Sequence, residues 1–507
     1  MKSKQNINRR KFMSRMATST TAAAAFSIVP RHVLGKGYVP PSDKINVVNI
    51  GCGTQGLREM PELLQHDNIQ VTAVCDVNKY STDYLDWSPR GIVNSIQRLL
   101  DDSSWGSLIN GIPGGRDIGK KVVEDYYTKK RAITGYTGCN AYEDYRELLE
   151  KETDIDVVKI MTPDHSHGVI ALAAMKKGKH VITHKPISNR LKEGRIVIEG
   201  ASKYDVKTHL LAWEDKPTYR RIKQWIEDGV IGQLKEIHNW SFRPVWPQYL
   251  GAPQDTQPIP EGFNWELWLG PEKDRPYHKH YTHNVFRGWY DFGGGSIADM
   301  GHYSLFPLFR ELGILTSPLS AKAYGTVYRT TTNNVCRPVN NKAAFPYSCM
   351  YKFQFPAQAT LPSFDLYWYD GGMKPFAPEE LEIDGRDIAP EGLLFVGDKG
   401  KIMAGFQGEN PEIIPKQKMA AYTGEKSYSK EKPAKRTDVW VRTILSGEES
   451  PGSFKYAQPV TDMINLGAVA LRARKKVLFD AENIQITNDE AANQFLNRDY
   501  RAGWEIG

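Results

Sequence analysis

The sequence predicts an α/β Rossmann domain followed by an α+β domain built on a large, mainly antiparallel open sheet. Three observations carry this. Apolar runs of strand length alternate with helical patterns from Lys44 to Pro186, which implies a mostly parallel, doubly wound sheet. A glycine turn, Gly51-Cys52-Gly53-Thr54-Gln55-Gly56, stands between the first of these strands and a helical pattern. From Leu234 onward the strands lengthen and lose their interleaved helices.

The chain opens on Asn8-Arg9-Arg10-Lys11-Phe12-Met13, followed by a weakly apolar, Ala/Thr-rich stretch from Ala17 to Val29. This is the pattern of a twin-arginine export signal, a route that carries folded, cofactor-loaded proteins. Residues 1–40 are therefore expected to be leader and linker, and the protein periplasmic. A basic N-terminus on a cytoplasmic protein is the alternative. With no evident small-x-small cleavage site, an uncleaved tether also stays open. Pro40-Pro41-Ser42-Asp43 hands over to the first strand, Lys44 to Ile50.

Further apolar runs, Ile69 to Cys75 and Ile155 to Met161, end in turn chemistry, and helical patterns at Tyr142 to Leu149 and His167 to Lys176 separate them. These place the Rossmann domain at residues 44–186. The stretch from Val77 to Thr137 is longer than one crossover needs, with a loop-like Gly106 to Gly119 and a helical pattern from Asp117 to Lys130. Residues 80–137, approximately, are expected to be an insertion over the cofactor edge of the sheet, closing the site or serving an oligomer contact.

A helix near Leu191 to Tyr204, a short strand Lys207 to Ala212 and a helix Thr218 to Asp228 follow. Strands are then expected at Leu234–Phe242, Ala321–Tyr328, Ala344–Phe355, Leu361–Tyr369, Gly392–Val396 and Gly400–Ala404. A helical pattern from Pro459 to Val477 closes a second domain, residues 187–480, and residues 481–507 read as a tail. The open sheet is the expected surface of a homo-oligomer, dimer or tetramer.

Charged residues make up 25% and hydrophobic residues 40% of 507, and no apolar run beyond the first thirty residues approaches membrane-spanning length. The net charge of +7 comes from Lys and Arg scattered among acids, a solvated mixed surface and not a nucleic-acid patch. Five cysteines, Cys52, Cys75, Cys139, Cys336 and Cys349, show no paired spacing, so neither a disulfide framework nor a structural zinc site is expected.

In the glycine turn, Gly51 permits the tight bend, Gly53 lets a pyrophosphate approach the backbone, and Gly56 lets the helix pack on the sheet. Phosphate charge then sits at the helix N-terminus beside Thr54 and Gln55. The second strand ends in Asp76, twenty residues beyond Gly56, where a carboxylate accepts from the adenosine ribose. Asp76 would repel a 2′-phosphate, so NAD is expected in preference to NADP.

Thr162-Pro163-Asp164-His165-Ser166-His167, then Gly178-Lys179-His180-Val181, Lys185-Pro186 and the glycine-rich Gly293 to His302, together resemble the Gfo/Idh/MocA family of sugar oxidoreductases. The resemblance spans Lys44 to about Asp480. It implies a carbohydrate substrate and places Lys185, the lysine of the family's Glu-Lys-Pro sequence, against the substrate hydroxyl. The glutamate is His184 here, which puts in question what orients Lys185 or contacts the cofactor. Thr162, Pro163, Asp164, His165, His167 and His184 are expected around the cofactor, with His165 and His167 lining the nicotinamide pocket.

The resemblance also implies an aspartate with a histidine four residues later. Here Asp299 is present, but position 303 is tyrosine and the histidine falls at 302. On an α-helix Asp299 and His302 share a face as i and i+3, so either His302 or Tyr303 is the proton acceptor. The imidazole, with its pKa nearer neutrality, makes His302 the preferred base, assisted by Asp299 and Lys185.

In the aromatic loop, Arg243, Trp246, Tyr249, His278, His280, His283, Arg287, Trp289 and Asp291 combine flat apolar faces with polar groups, a mixture suited to sugars. Trp246, His283, Arg287 and Trp289 are the substrate candidates, and no metal is expected. The expected reaction is NAD-dependent oxidation of a secondary sugar hydroxyl, such as glycoside to 3-keto-glycoside. Because free NAD is scarce outside the cytoplasm, an exported enzyme is expected to hold its nucleotide tightly. That consideration keeps open redox-neutral glycoside cleavage through a transient ketone. A non-catalytic sugar-binding member of the family is the third reading, prompted by His184 and Tyr303.

Overall fold

In the computed structural model, which describes residues 43–130, 136–358, 360–424 and 432–506, six strands form one parallel sheet. The expected leader lies outside the described residues. The strand order is Asn140–Tyr142, Ile69–Cys75, Ile45–Ile50, Val157–Ile160, His180–Thr183, Thr208–Leu210. Every neighbouring pair is parallel. Val47, Val48, Val71, Val157, Val158 and Val181 are all fully buried, as strands covered on both faces require. The order reverses between Ile45–Ile50 and Val157–Ile160, and such a switch point opens a crevice at the carboxyl ends of the strands.

The expected boundary at residue 186 falls inside this sheet. Leu191–Lys203 crosses back over it as one more βαβ helix, so Thr208–Leu210 becomes the sixth strand. The insertion is structured: Ser81–Tyr84 pairs with Ile112–Gly114, and Gly91–Leu100 and Arg116–Lys130 are helices. Val122 and Val123 of the second helix are fully buried, and Tyr127 Oη accepts from the Val71 amide at 2.9 Å, which ties the insertion to the sheet.

The second sheet has nine strands, running from Glu412–Ile414 at one edge through Leu234–Trp240 and Phe364–Tyr369 at its middle to Gln485–Ile486 at the other. Only the central pair, Leu234–Trp240 with Phe364–Tyr369, is parallel; the other neighbours are antiparallel. Period-two burial is clearest in Cys349–Phe355, where Cys349, Tyr351, Phe353 and Phe355 face the core and Met350 faces out. The helix Phe454–Ala473 packs on both the helix Leu191–Lys203 and the strand Ser320–Gly325, joining the two sheets.

Residues 481–507 are not the expected tail. Arg498 is buried, with Nη1 2.6 Å from Glu272 Oε1 and Nε 3.0 Å from Glu193 Oε2, and Tyr500 Oη donates to Glu193 at 2.7 Å. Isolated anchors of this kind have no periodicity, so the segment reads as unstructured although it crosses the domain as a strap. Arg498→Ala strands Glu193 and Glu272 as buried carboxylates without this partner. We expect it to lower the unfolding free energy in urea by about 3–5 kcal/mol, whereas Asp499→Ala, at an exposed neighbour, should leave the midpoint in place.

Candidate active site

The glycine turn closes on the end of the first strand. Gly51 sits at φ +99°, where a Cβ would lie 2.5 Å from the Met161 carbonyl oxygen, and a Cβ on Gly56 would lie 2.0 Å from the Gly51 oxygen. Both positions therefore require glycine for packing, while Gly53 lines the cleft under the Tyr84 ring of the insertion. Asp76 spans the turn: Oδ2 accepts from the Cys52 amide at 2.7 Å and Oδ1 from the Asn78 amide at 2.8 Å. Burial raises its pKa against those two hydrogen bonds.

Beyond the turn lies a chamber of about 1100 Å³ lined by Gly51, Gly53, Thr54, Gln55, Asp76, Thr162, Pro163 and His184, among others. Its far end carries the carboxylates Asp76, Glu143 and Asp144, flanked by Tyr145 and Trp504. Arg146 pairs with Asp144 at 2.7 Å and Arg116 approaches Glu143 at 3.9 Å, so Asp76 is the carboxylate that suits a ribose with free hydroxyls and disfavours a 2′-phosphate. The glycine turn, the helix N-terminus at Thr54 and Asp76 fit NAD. Gly51, Gly53, Thr54, Gln55 and Asp76 are the residues that would hold it.

A second chamber of about 980 Å³ adjoins the first and shares Gln55, Trp87, His184, Asn284 and Arg287 with it. At the junction the buried Lys185 Nζ donates to Asp299 Oδ1 at 2.5 Å. Arg287 bridges the two domains, with Nη1 2.7 Å from Asp164 and Nε 3.3 Å from Asp299. Burial brings the Lys185 ammonium down to about 8 against the pull of Asp299. Burial disfavours the Asp299 charge, but Lys185 and Arg287 hold its carboxyl down at about 2. The His184 ring approaches Tyr303 Oη at 2.6 Å, and Lys185 Nζ stands 5.1 Å from the centre of the Tyr303 ring. Burial raises the Tyr303 phenol well above its ordinary range.

His302 is not part of this group. It is wholly buried, its Nδ1 lies 3.1 Å from the Ala298 carbonyl oxygen, it lines neither chamber, and burial lowers its pKa to about 3. The cause is local: Ile297–Gly301 is a π-helical turn, not an α-helical one. A wider turn moves the residue that shares a face with Asp299 from i+3 towards i+4, which brings up Tyr303 and turns His302 inward.

His165 and His167 also depart from expectation. His165 Nε2 lies 2.7 Å from the Trp268 carbonyl oxygen, and His167 contacts Pro186 O at 2.6 Å and Thr162 O at 2.8 Å; neither lines a chamber. They fasten loops, and Asp164 acts on the site through Arg287. Of the substrate candidates, Trp246 lines the second chamber and Arg287 both, while His283 faces the first, its ring tilted against Tyr84 at 3.9 Å. Trp289 is core, donating Nε1–H to the His280 carbonyl at 2.7 Å. Among the described residues no group of three or more His, Cys, Asp or Glu side chains is placed to hold a metal ion. Trp87, Trp504 and Arg436 line the chambers without a motif to mark them.

A profile described as "Oxidoreductase family, C-terminal alpha/beta domain" of Gfo/Idh/MocA matches residues 216–324 and 369–506. Its companion, "Oxidoreductase family, NAD-binding Rossmann fold", matches residues 120–211. Together they match well over half of the chain. Levoglucosan dehydrogenase of Pseudarthrobacter phenanthrenivorans is 31% identical over 115 residues, 21% of this chain and 29% of its own length. An inositol 2-dehydrogenase/D-chiro-inositol 3-dehydrogenase of Lactiplantibacillus plantarum is 24% identical over 208 residues, 40% of this chain and 45% of its own. An alpha-N-acetylgalactosaminidase of Bacteroides fragilis is 22% identical over 209 residues, 41% and 39% of the two chains. Each match spans less than half of the relative. The solved WlbA dehydrogenase of Chromobacterium violaceum, in complex with NADH and UDP-GlcNAcA, shares the fold at TM-score 0.50 and 13% identity, over 88% of this chain and 98% of that one.

Lys185 gives the site a pH signature. Its folded pKa of about 8 lies below the ordinary 10.5, so the unfolded chain binds the extra proton in between and stability should rise with pH across that window. Asp299→Asn removes the charge that opposes burial, and the Lys185 resonance in a ¹³C-methylated sample should then titrate below 8. An unchanged midpoint would mean that the pair is not coupled.

Proposed function

We propose, for a chain that belongs to the Gfo/Idh/MocA oxidoreductase family, that it interconverts a secondary hydroxyl and a ketone on a sugar or polyol. The observation that carries the reading is the Lys185–Asp299 pair, with Tyr303 and His184, at the junction of a dinucleotide chamber and a second chamber. NAD, when bound, supplies the two-electron acceptor for the substrate carbon, and NADH the donor in reverse.

The chain's own part is to move and hold a proton. Near neutrality Lys185, at about 8, exchanges protons with an alcohol oxygen more effectively than an imidazole at about 3, so Lys185 replaces His302 as general acid–base. Asp299 stays ionised, orients the ammonium and keeps its pKa from falling further. Tyr303 remains a neutral phenol and passes hydrogen bonds between the chamber and His184. The buried walls exclude water, which strengthens these interactions.

Redox-neutral glycoside cleavage is the second reading, favoured by the relative named alpha-N-acetylgalactosaminidase. The same pair would serve it, forming a transient ketone that acidifies the neighbouring carbon before the glycosidic substituent leaves. Two accompanying proposals concern the whole protein. One is twin-arginine export to the periplasm, with the nucleotide held tightly. The other is self-association through the outer face of the open sheet, supported by the exposed cross-strand neighbours Tyr324 and Met350.

Heat denaturation of the purified protein should release NAD or NADH, identified by mass spectrometry. Lys185→Met should lower turnover by about 10²–10⁴-fold, and His302→Ala by far less; full activity in Lys185→Met would sink the assignment. Release of aglycone from a chromogenic glycoside without added nucleotide would select cleavage over net oxidation.

A further inference from the structure

The second chamber is lined by six cationic side chains against two carboxylates, Glu214 and Asp299. Most of the cations are already matched. Lys185 holds Asp299, Lys216 lies 2.8 Å from Glu214, Arg58 pairs with Asp86, Arg287 with Asp164 and Arg436 with Glu59. Arg243 is the exception. Among the described residues no carboxylate lies within ion-pair distance of its guanidinium, and its Nε is buried without a hydrogen-bond acceptor. Three residues along the loop, Trp246 shows 4% exposure and lines the same chamber, and its buried Nε1–H also has no acceptor.

Arginine and indole nitrogens only donate. A half-buried guanidinium in the chamber wall with no carboxylate partner among the described residues calls for acceptor oxygens on the ligand. Glu59 also holds the buried Lys159 at 2.9 Å, so Arg436 adds to the excess at Arg243 and the wall favours an anionic ligand. The fork of a guanidinium fits the two coplanar oxygens of a carboxylate.

We infer that the substrate is an anionic sugar, a uronic acid or uronide, whose carboxylate is received by Arg243 with Trp246 beside it. The inference deepens the sugar oxidoreductase reading and rests on its assignment of the second chamber to substrate. It makes Arg243 the specificity-determining residue, distinct from the Lys185–Asp299 pair that handles the reacting oxygen.

The test uses the full-length protein with its nucleotide as purified. Binding of glucuronate, galacturonate, glucose, galactose and glucose 6-sulfate is measured by calorimetry, and nucleotide reduction is followed at the same time. Uronates should bind roughly 10- to 100-fold more tightly than their neutral parents. That ratio should fall towards one in Arg243→Gln, and it should shrink with added salt. Arg243→Lys, which keeps the charge but loses the fork, should retain part of the preference and covers the case in which the glutamine variant does not fold. Equal or better binding of neutral sugars, binding of none, tighter binding of the sulfate ester, or a ratio untouched by either variant would each overturn the inference. Uronates bound with preference but never oxidised would leave it standing and remove the oxidoreductase reading; neutral sugars oxidised without preference would do the reverse.

Discussion

The site depends on one buried ion pair. Lys185 is contributed by the turn after the fifth strand of the parallel sheet, in sheet order, and Asp299 by the π turn that leads into the helix His302–Leu312 of the second domain. Neither charge is tolerable alone at that depth, since an isolated buried ion costs several kcal/mol. Each domain therefore completes the other's electrostatics. Arg287 repeats the arrangement by joining Asp164 of the first domain to Asp299 of the second. The pairs that hold the two sheets in register are the ones that set the proton affinity of Lys185, so stability and chemistry draw on the same contacts.

Most of the fold was legible because its signals are periodic. Alternating burial in Cys349–Phe355, continuous burial in Val157–Ile160 and the glycine turn with Asp76 each leave a pattern that sequence alone exposes. The boundary at residue 186 was misplaced because Pro186 resembles a stop signal, whereas the βαβ pattern runs on through Thr208–Leu210. The C-terminal strap was missed for the opposite reason. Arg498, Tyr500 and Trp504 act as single anchors into buried carboxylates and the nucleotide chamber, with no repeat to announce them.

The site residues divide in the same way. Lys185 and Asp299 follow from the motifs that carry them, and the structure brings them to 2.5 Å. His302 failed on geometry: the i and i+3 relation holds on an α-helix, and a π turn in Ile297–Gly301 changes the phase by enough to exchange imidazole for phenol. The replacement of the family's glutamate by His184 is then no isolated oddity. His184 and Tyr303 meet at 2.6 Å across the two domains, so the two departures from the family pattern form one hydrogen-bonded pair. A histidine at 302 and a tyrosine at 303 look like a one-residue slip in sequence, but in space the tyrosine occupies the working position.

The two chambers differ in charge: Arg146 and Arg116 balance acids at the far end of the first, whereas the second keeps a guanidinium unpaired among the described residues. The far end of the nucleotide chamber is walled by Asp76, Glu143 and Asp144, whereas the second chamber carries a cationic surplus that peaks at Arg243. Charges shielded from bulk solvent by low-dielectric walls act over longer distances than exposed ones, so this contrast sorts ligands before contact. A neutral ribose with free hydroxyls suits the first end, and an anionic group is drawn to the second. The shared wall of Gln55, His184 and Arg287 lies between these fields, and Lys185 stands beside it. An ammonium so placed feels Asp299 on one side and the cations of the substrate chamber on the other. Burial brings its pKa down to about 8 against the pull of Asp299, with Arg287 lowering it as well, and an arriving anion would raise it. The charge of the substrate would thus help to set the proton affinity of the group that acts on it.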